Sequence, residues 1–208
     1  MTAGAPAVYI VDDDASVRKS LTRLVAAAGY TVSAFASAQE YLAREPAAGP
    51  SCLVLDVRMP GLTGLDLQKA LAGAERRTAI VFITGHGDIG MSVTAMKAGA
   101  VDFLTKPFEG KALLDAIQRA LAKDTRDLGA EARVATIRER VTRLTPRETA
   151  VFALVVTGLL NKQIASKLGV GVKTVKVHRA RVMEKMGARS VAELVRLADA
   201  VGVIVPKT

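Results

Sequence analysis

The chain has 208 residues, half of them hydrophobic, no tryptophan and eight phenylalanines and tyrosines, so an aliphatic core for one large or two small domains is within reach. The single cysteine excludes an intrachain disulfide, no apolar run approaches membrane-spanning length, and the amino terminus is unlike a signal peptide, which together give a cytoplasmic expectation. The formal charge of +9 is uneven: residues 1–122 balance 12 basic against 12 acidic side chains, so 17 of the 29 basic residues and the whole excess lie in 123–208, as suits a module for nucleic acid or an acidic surface, or solubility alone.

Through the first segment, short apolar β-branched runs alternate with helix-like stretches. Strands are expected at 7–11, 31–35, 52–56, 79–84 and 101–105, and helices at 15–28, 39–44, 64–72, 90–98 and 109–123. The central runs lack polar alternation, as strands covered on both faces do, so residues 1–122 read as a domain built on a five-stranded parallel sheet. Cys52 lies inside one such run and reads as a buried core thiol. Residues 123–143 are charged, with Val134, Ile137, Val141 and Leu144 at helical spacing, and read as a linker with a helical second part. Residues 144–208 read as a compact helical domain. Thr145-Pro146-Arg147-Glu148 starts its first helix with an N-cap threonine, a proline at the first position and a glutamate at the third. That helix runs to 157, and three more are expected at 161–168, 172–186 and 191–201, separated by glycine turns.

Open parallel sheets place working residues at the carboxyl ends of their strands. Here the strand tips are Asp12, Asp13 and Asp14; Asp56; Thr84; and Lys106-Pro107. Like charges gathered at one edge are tolerated when a cation or proton neutralises them. Oxygen-only ligands favour Mg2+ or Mn2+. Asp56 opens the loop Asp56-Val57-Arg58-Met59-Pro60-Gly61 and is accessible as a nucleophile that would give an acyl phosphate. Lys106 supplies a compact positive charge for phosphoryl oxygens, and Thr84 a hydroxyl. Asp14 directly precedes a helix and reads as its N-cap.

The pattern Ile10-Val11-Asp12-Asp13, Leu55-Asp56-Val57-Arg58-Met59-Pro60-Gly61, Ile83-Thr84-Gly85 and Lys106-Pro107 resembles the receiver domain of two-component response regulators. The resemblance implies a flavodoxin-like doubly wound fold with strand order 2-1-3-4-5. It implies that Asp56 is the phosphoacceptor, and that Mg2+ is held by Asp13, Asp56 and the backbone carbonyl of Arg58, with Asp12 acting largely through water. Thr84 and Lys106 would contact the phosphoryl group, the Lys106-Pro107 bond would be cis, and Phe103 falls at the position of the family's aromatic switch. The longer strings VRKSL and TGHGDIGMSVTAMKAGAVDFLTKPF are similar to the FixJ branch of the NarL/FixJ response regulators. His86 then lies in a loop as a polar residue and is not a base.

In the basic domain, Asn161-Lys162-Gln163-Ile164-Ala165, the turn Gly169-Val170-Gly171 and a basic helix from Val172 form a helix-turn-helix pattern. At 100° per residue, Val172, Val175, Val182, Met183 and Met186 fall on one side of that helix. Lys173, Lys176, Val177, Ala180, Arg181 and Glu184 fall on the other. The segment from Leu144 to Ser190 resembles a LuxR-type DNA-binding domain. The resemblance implies that Lys176 and Val177 approach base edges in a major groove, while Lys173, Thr174 and Arg181 meet phosphates. Ala180 is shorter than the polar residue many relatives carry there. Arg179 departs from an aliphatic position, and its stem is expected on the core with its head on Glu148 or the DNA backbone. His178 reads as structural.

These features point to a response regulator and not an enzyme. A sensor histidine kinase would phosphorylate Asp56. The surface made by residues 90–123 would then dimerise or release the basic domain onto double-stranded promoter DNA, with RNA polymerase a candidate further partner. Two other readings share parts of this pattern. An aspartate-nucleophile phosphatase would need a second acid where Arg58 stands, and a pseudo-receiver would bind DNA without phosphorylation.

Overall fold

The structure is a computed structural model that describes residues 5–74, 78–85 and 89–203. The chain divides into two compact units between Leu128 and Gly129. In the first, β1 (Ala7–Val11), β2 (Thr31–Phe35), β3 (Ser51–Asp56), β4 (Ala79–Thr84) and β5 (Asp102–Thr105) form one sheet of order β2-β1-β3-β4-β5. All its pairings are parallel. Helices α1 (Ala15–Ala27), α2 (Ala38–Ala43), α3 (Gly64–Gly73) and α4 (Ile89–Lys97) make the crossovers, and α5 (Gly110–Thr142) follows the last strand.

The two-residue period of a strand explains the layers. Cys52 and Val54 of β3 face a core shared with Leu21 and Val25 of α1 and with Leu113 and Ile117 of α5. Leu53 and Leu55, one residue out of phase, face Leu67 and Leu71 of α3 and Ala95 of α4. Every residue of β3 and β4 is buried, which is why neither shows polar alternation. Each fully buried aliphatic side chain of this kind contributes roughly 1.5–3 kcal/mol. Cys52 is buried as expected, and burial, then the nearby charge of Asp124, pushes its thiol far above the usual range.

The fifth helix corrects the sequence reading. It was expected to end at 123, ahead of a linker helical only in its second part; instead α5 is continuous for 33 residues, from Gly110 to Thr142. Composition favours this, because the stretch is rich in Ala and Arg, and Gly129 alone costs about 1 kcal/mol. Lys123 and Asp127 pair at i,i+4 at 2.8 Å. Asp124 is buried and its Oδ2 accepts the Ser51 backbone N–H at 2.8 Å, so the helix is fastened to the start of β3 just past its expected end.

In the second unit α6 (Pro146–Val156), α7 (Asn161–Leu168), α8 (Val172–Met186) and α9 (Val191–Ala200) pack around Phe152, Val155, Ile164, Val175, Val182, Met186 and Leu194. Ile137 of α5 joins the same core. Val172, which helical phase assigned to the packed side, is 40% exposed. It stands in the first turn of α8, directly after the Gly169–Gly171 turn, where phase alone does not bring a side chain over the core. Gly169 takes φ +63° to close α7, a conformation that strains other residues.

The α6 start is a complete capping box. Thr145 Oγ1 accepts the Glu148 N–H at 3.3 Å and Glu148 Oε2 accepts the Thr145 N–H at 2.9 Å. Glu148 is buried and also takes the Lys185 ammonium at 2.6 Å. The Lys185 hydrogen bond, then the Thr145 N–H, holds its carboxyl down to about 2, against an ordinary 4.5. A depressed acid stabilises the fold above its unfolded value and loses that contribution as pH falls through its folded value. The stability difference between wild type and Glu148→Gln, from chemical denaturation of the full chain, is therefore expected to shrink between pH 4.5 and about 2. A difference that stays constant across that window would contradict the assignment.

Candidate functional site

The sheet register aligns the strand tips. Asp56 lies beside Ile83, and Thr84 beside Thr105 on the following strand. Parallel strands that end level deliver their next residues to one edge. Lys106 follows β5, and its backbone N–H donates to the Thr84 carbonyl at 2.7 Å. Its Nζ lies 2.7 Å from Asp12 Oδ2 and 2.8 Å from Asp56 Oδ1. One ammonium thus bridges two carboxylates that are 1% and 5% exposed. The Lys106-Pro107 peptide is cis.

Each acid has a second anchor. Asp12 Oδ1 accepts the Asp14 N–H at 2.9 Å, and its carbonyl accepts the Arg18 guanidinium at 2.6 Å. Asp56 Oδ2 accepts the Arg58 N–H at 2.7 Å. Burial pushes the Asp56 carboxyl above its ordinary range, and the opposing bond and charge of Lys106 only partly offset it. For Lys106, burial alone would lower the ammonium. Its bonds to Asp12 and Asp56 and their charges outweigh that and raise it.

Of the other residues expected here, Asp13 is exposed and Thr84 is buried at the end of β4. Phe103 is half-buried, its ring 6.2 Å from that of Phe82. Among the described residues, no group of three His, Cys, Asp or Glu side chains forms a ready-made ion site. The carboxylate oxygens brought together at this edge are those of Asp12 and Asp56. Asp14 caps α1, its Oδ1 accepting the Ser16 and Val17 N–H groups, and the Ser16 bond leads in holding its carboxyl low. His86 lies outside the described residues.

Two contributors to this edge escaped the sequence reading. Arg18 is one, since nothing local tells that a helical arginine will reach back six residues to a carbonyl. Gly64 is the other. A Cβ there would lie 2.2 Å from the Asp56 carbonyl oxygen, and its N–H donates to the Val57 carbonyl at 3.0 Å. A glycine in the first turn of a helix already capped by Thr63 was the visible clue.

In the second unit the α8 residues expected to meet nucleic acid lie at the surface. Lys173, Thr174, Lys176, Val177, Ala180 and Arg181 of α8 are exposed, while Val175 and Val182 are fully buried. Val177 is 47% exposed although aliphatic. Arg179 corrects an expectation: its head donates to Asn161 Oδ1 at 2.8 Å, and Glu148 is taken by Lys185. His178 is half-buried, and its Nδ1 has no hydrogen-bond partner among the described residues.

A five-stranded sheet of this order, with acids and a lysine at its carboxyl edge, followed by a helix-turn-helix, defines a receiver joined to a DNA-binding effector. Residues 8–118 match the response regulator receiver domain, and residues 142–198 match the bacterial regulatory proteins of the luxR family. The chain belongs to the two-component response regulators that carry a LuxR-type DNA-binding domain and control transcription. It is 50% identical to nodulation protein W of Bradyrhizobium diazoefficiens over 94% of this chain and 86% of that one. It is 45% identical to transcriptional regulatory protein FixJ of Rhizobium meliloti, covering 94% and 96% of the two chains. The solved structure of response regulator StyR superposes with a TM-score of 0.82 at 47% identity, covering 94% of this chain and 99% of that one.

Gly64→Ala forces the helix start off the Asp56 carbonyl. We expect a loss of about 1–3 kcal/mol in the receiver by chemical denaturation, together with slower uptake of a phosphoryl group from acetyl phosphate. Unchanged stability and rate would show that the loop yields freely.

Proposed function

We propose that Asp56 accepts a phosphoryl group from a sensor histidine kinase and that the modified chain acts on promoter DNA through α8. The observation that carries this reading is the Lys106 ammonium held between Asp12 and Asp56 at the aligned strand tips. In the transfer, an Asp56 carboxylate oxygen forms a bond to phosphorus as the bond from phosphorus to the kinase's histidine nitrogen breaks, and that imidazole leaves. Asp56 Oδ2 is oriented by the Arg58 N–H, which holds the carboxylate in one rotamer. Lys106 then exchanges part of its carboxylate contact for the new phosphoryl oxygens, and the Thr84 hydroxyl binds another.

The donor set fits an oxygen-ligated divalent cation. Asp12 and Asp56 share the Lys106 ammonium and Asp13 follows Asp12 as a third acid, so negative charge remains to be balanced, and the Arg58 carbonyl would add a neutral oxygen. Asp13, Asp56 and the Arg58 carbonyl would hold Mg2+ or Mn2+, with Asp12 acting through water. When bound, the ion would offset the charge that builds up on the phosphoryl oxygens.

Downstream, Thr84 and Phe103 would shift toward the phosphoryl group and alter the surface of α4, β5 and α5. Ile89, Val93 and Met96 of α4 are exposed at helical spacing, which supports a second copy of the chain as the partner of that surface. On DNA, Lys176 and Val177 would meet base edges, and Lys173, Thr174 and Arg181 phosphates. Two chains would occupy half-sites about one helical turn apart. RNA polymerase is a further partner in this reading, and the protein acts in the cytoplasm.

Intact mass after incubation with acetyl phosphate and Mg2+ tests the acceptor. One phosphoryl adduct is expected on wild type and none on Asp56→Asn. An adduct on the variant would assign the chemistry to another acid.

A further inference from the structure

The carboxyl ends of α5 and α8 cap one another. At the end of α8, Gly187 takes φ +66°; its N–H bonds to the Glu184 carbonyl at 3.0 Å, and the Ala188 N–H bonds to the Met183 carbonyl at 2.9 Å. That motif leaves out the Met186 carbonyl, which instead accepts the Arg140 guanidinium of α5 at 2.9 Å. In return, the Lys185 ammonium of α8 reaches the Arg143 carbonyl, one residue past the end of α5, at 3.2 Å. Each cation sits where the partner helix is partially negative. Lys185 is then held by the buried Glu148 of the α6 capping box.

Two features separate this junction from incidental surface bonding. Arg140 and Lys185 are both only partly exposed, unlike the solvated arginines and lysines around them. Gly187 makes room for the guanidinium: a Cβ at 187 would lie 2.9 Å from Arg140 Nη1. The helix end, the glycine and the arginine are therefore matched in shape as well as charge.

We infer that Arg140 is a positioning residue for DNA recognition, setting where α8 presents Lys176 and Val177 by holding the carboxyl end of that helix. This rests on the reading of α8 as the groove-entering helix. A hydrogen bond from a charged donor at one end of a 15-residue helix adds a directional constraint on its rotation and slide to that of its buried face, Val175, Val182 and Met186. Base-edge contacts demand that accuracy, whereas phosphate contacts through long lysines and arginines tolerate its loss.

The test uses the full chain treated with acetyl phosphate and Mg2+. The probes are a duplex selected by the wild-type chain from a random-sequence pool and a scrambled duplex of equal length. Arg140→Ala is expected to weaken binding to the selected duplex about tenfold, to leave scrambled binding unchanged, and to retain the wild-type circular dichroism. Arg140→Lys, which keeps a cationic donor, should recover most of the loss. If Arg140→Ala does not fold, Arg140→Gln takes its place with the same expectation. Unchanged affinity for the selected duplex, or equal losses on both duplexes, overturns the inference. Lys176→Ala separates the two levels: if it too leaves selective binding intact, the reading of α8 itself fails.

Discussion

The receiver unit depends on one ammonium shared by two carboxylates. Asp12 and Asp56 are delivered side by side because β1 and β3 are neighbours in a parallel sheet and end in register. Left alone, two buried acids at this distance would repel and lose their hydration; an uncompensated buried charge typically costs about 3–5 kcal/mol. Lys106 relieves that, and its own place is set by the end of β5 and by its backbone bond to Thr84. The site is therefore a property of the sheet edge. In the proposed function the residue that stabilises the resting arrangement would also receive the new phosphoryl oxygens, so modification of Asp56 would redistribute the contacts at the tips of β4 and β5.

The second unit follows a similar logic at helix ends. Short helices leave many backbone groups without partners; α6 answers with its own Glu148 at its start, while side chains of neighbouring helices serve the other ends, Lys185 past the end of α5 and Arg140 at the end of α8. The exposed face of α8 is kept clear of these duties. Lys173, Lys176 and Arg181 remain on the surface, which is how a basic helix can serve a groove without being consumed by its own fold.

Much of this was legible in the residues. Strand positions came through because β3 and β4 are apolar along their whole length and bounded by turn chemistry, and their tips marked Asp56 and Thr84 directly. The α8 boundaries were legible because Gly171 and Gly187 bracket them. What escaped depended on contacts distant in sequence. The continuation of α5 past 123 rests on Asp124 meeting Ser51, 73 residues away. Arg179 was expected to reach Glu148 or the DNA backbone, yet its head donates to a neutral amide, Asn161, and Lys185 takes the glutamate. Val172 fits the packed phase of α8 but stands ahead of the core it would have packed on. Periodicity assigns a side; it does not say where along the helix the neighbour stops.

In the proposed function, chemistry at Asp56 governs binding at α8. The most direct test is the affinity of the full chain for its selected duplex, measured with and without acetyl phosphate and Mg2+, on wild type and Asp56→Asn in parallel. The account predicts tighter binding on phosphorylation in wild type and no response in the variant. Equal affinity of unmodified and phosphorylated wild type would contradict it and leave a receiver fold whose phosphorylation does not reach the DNA.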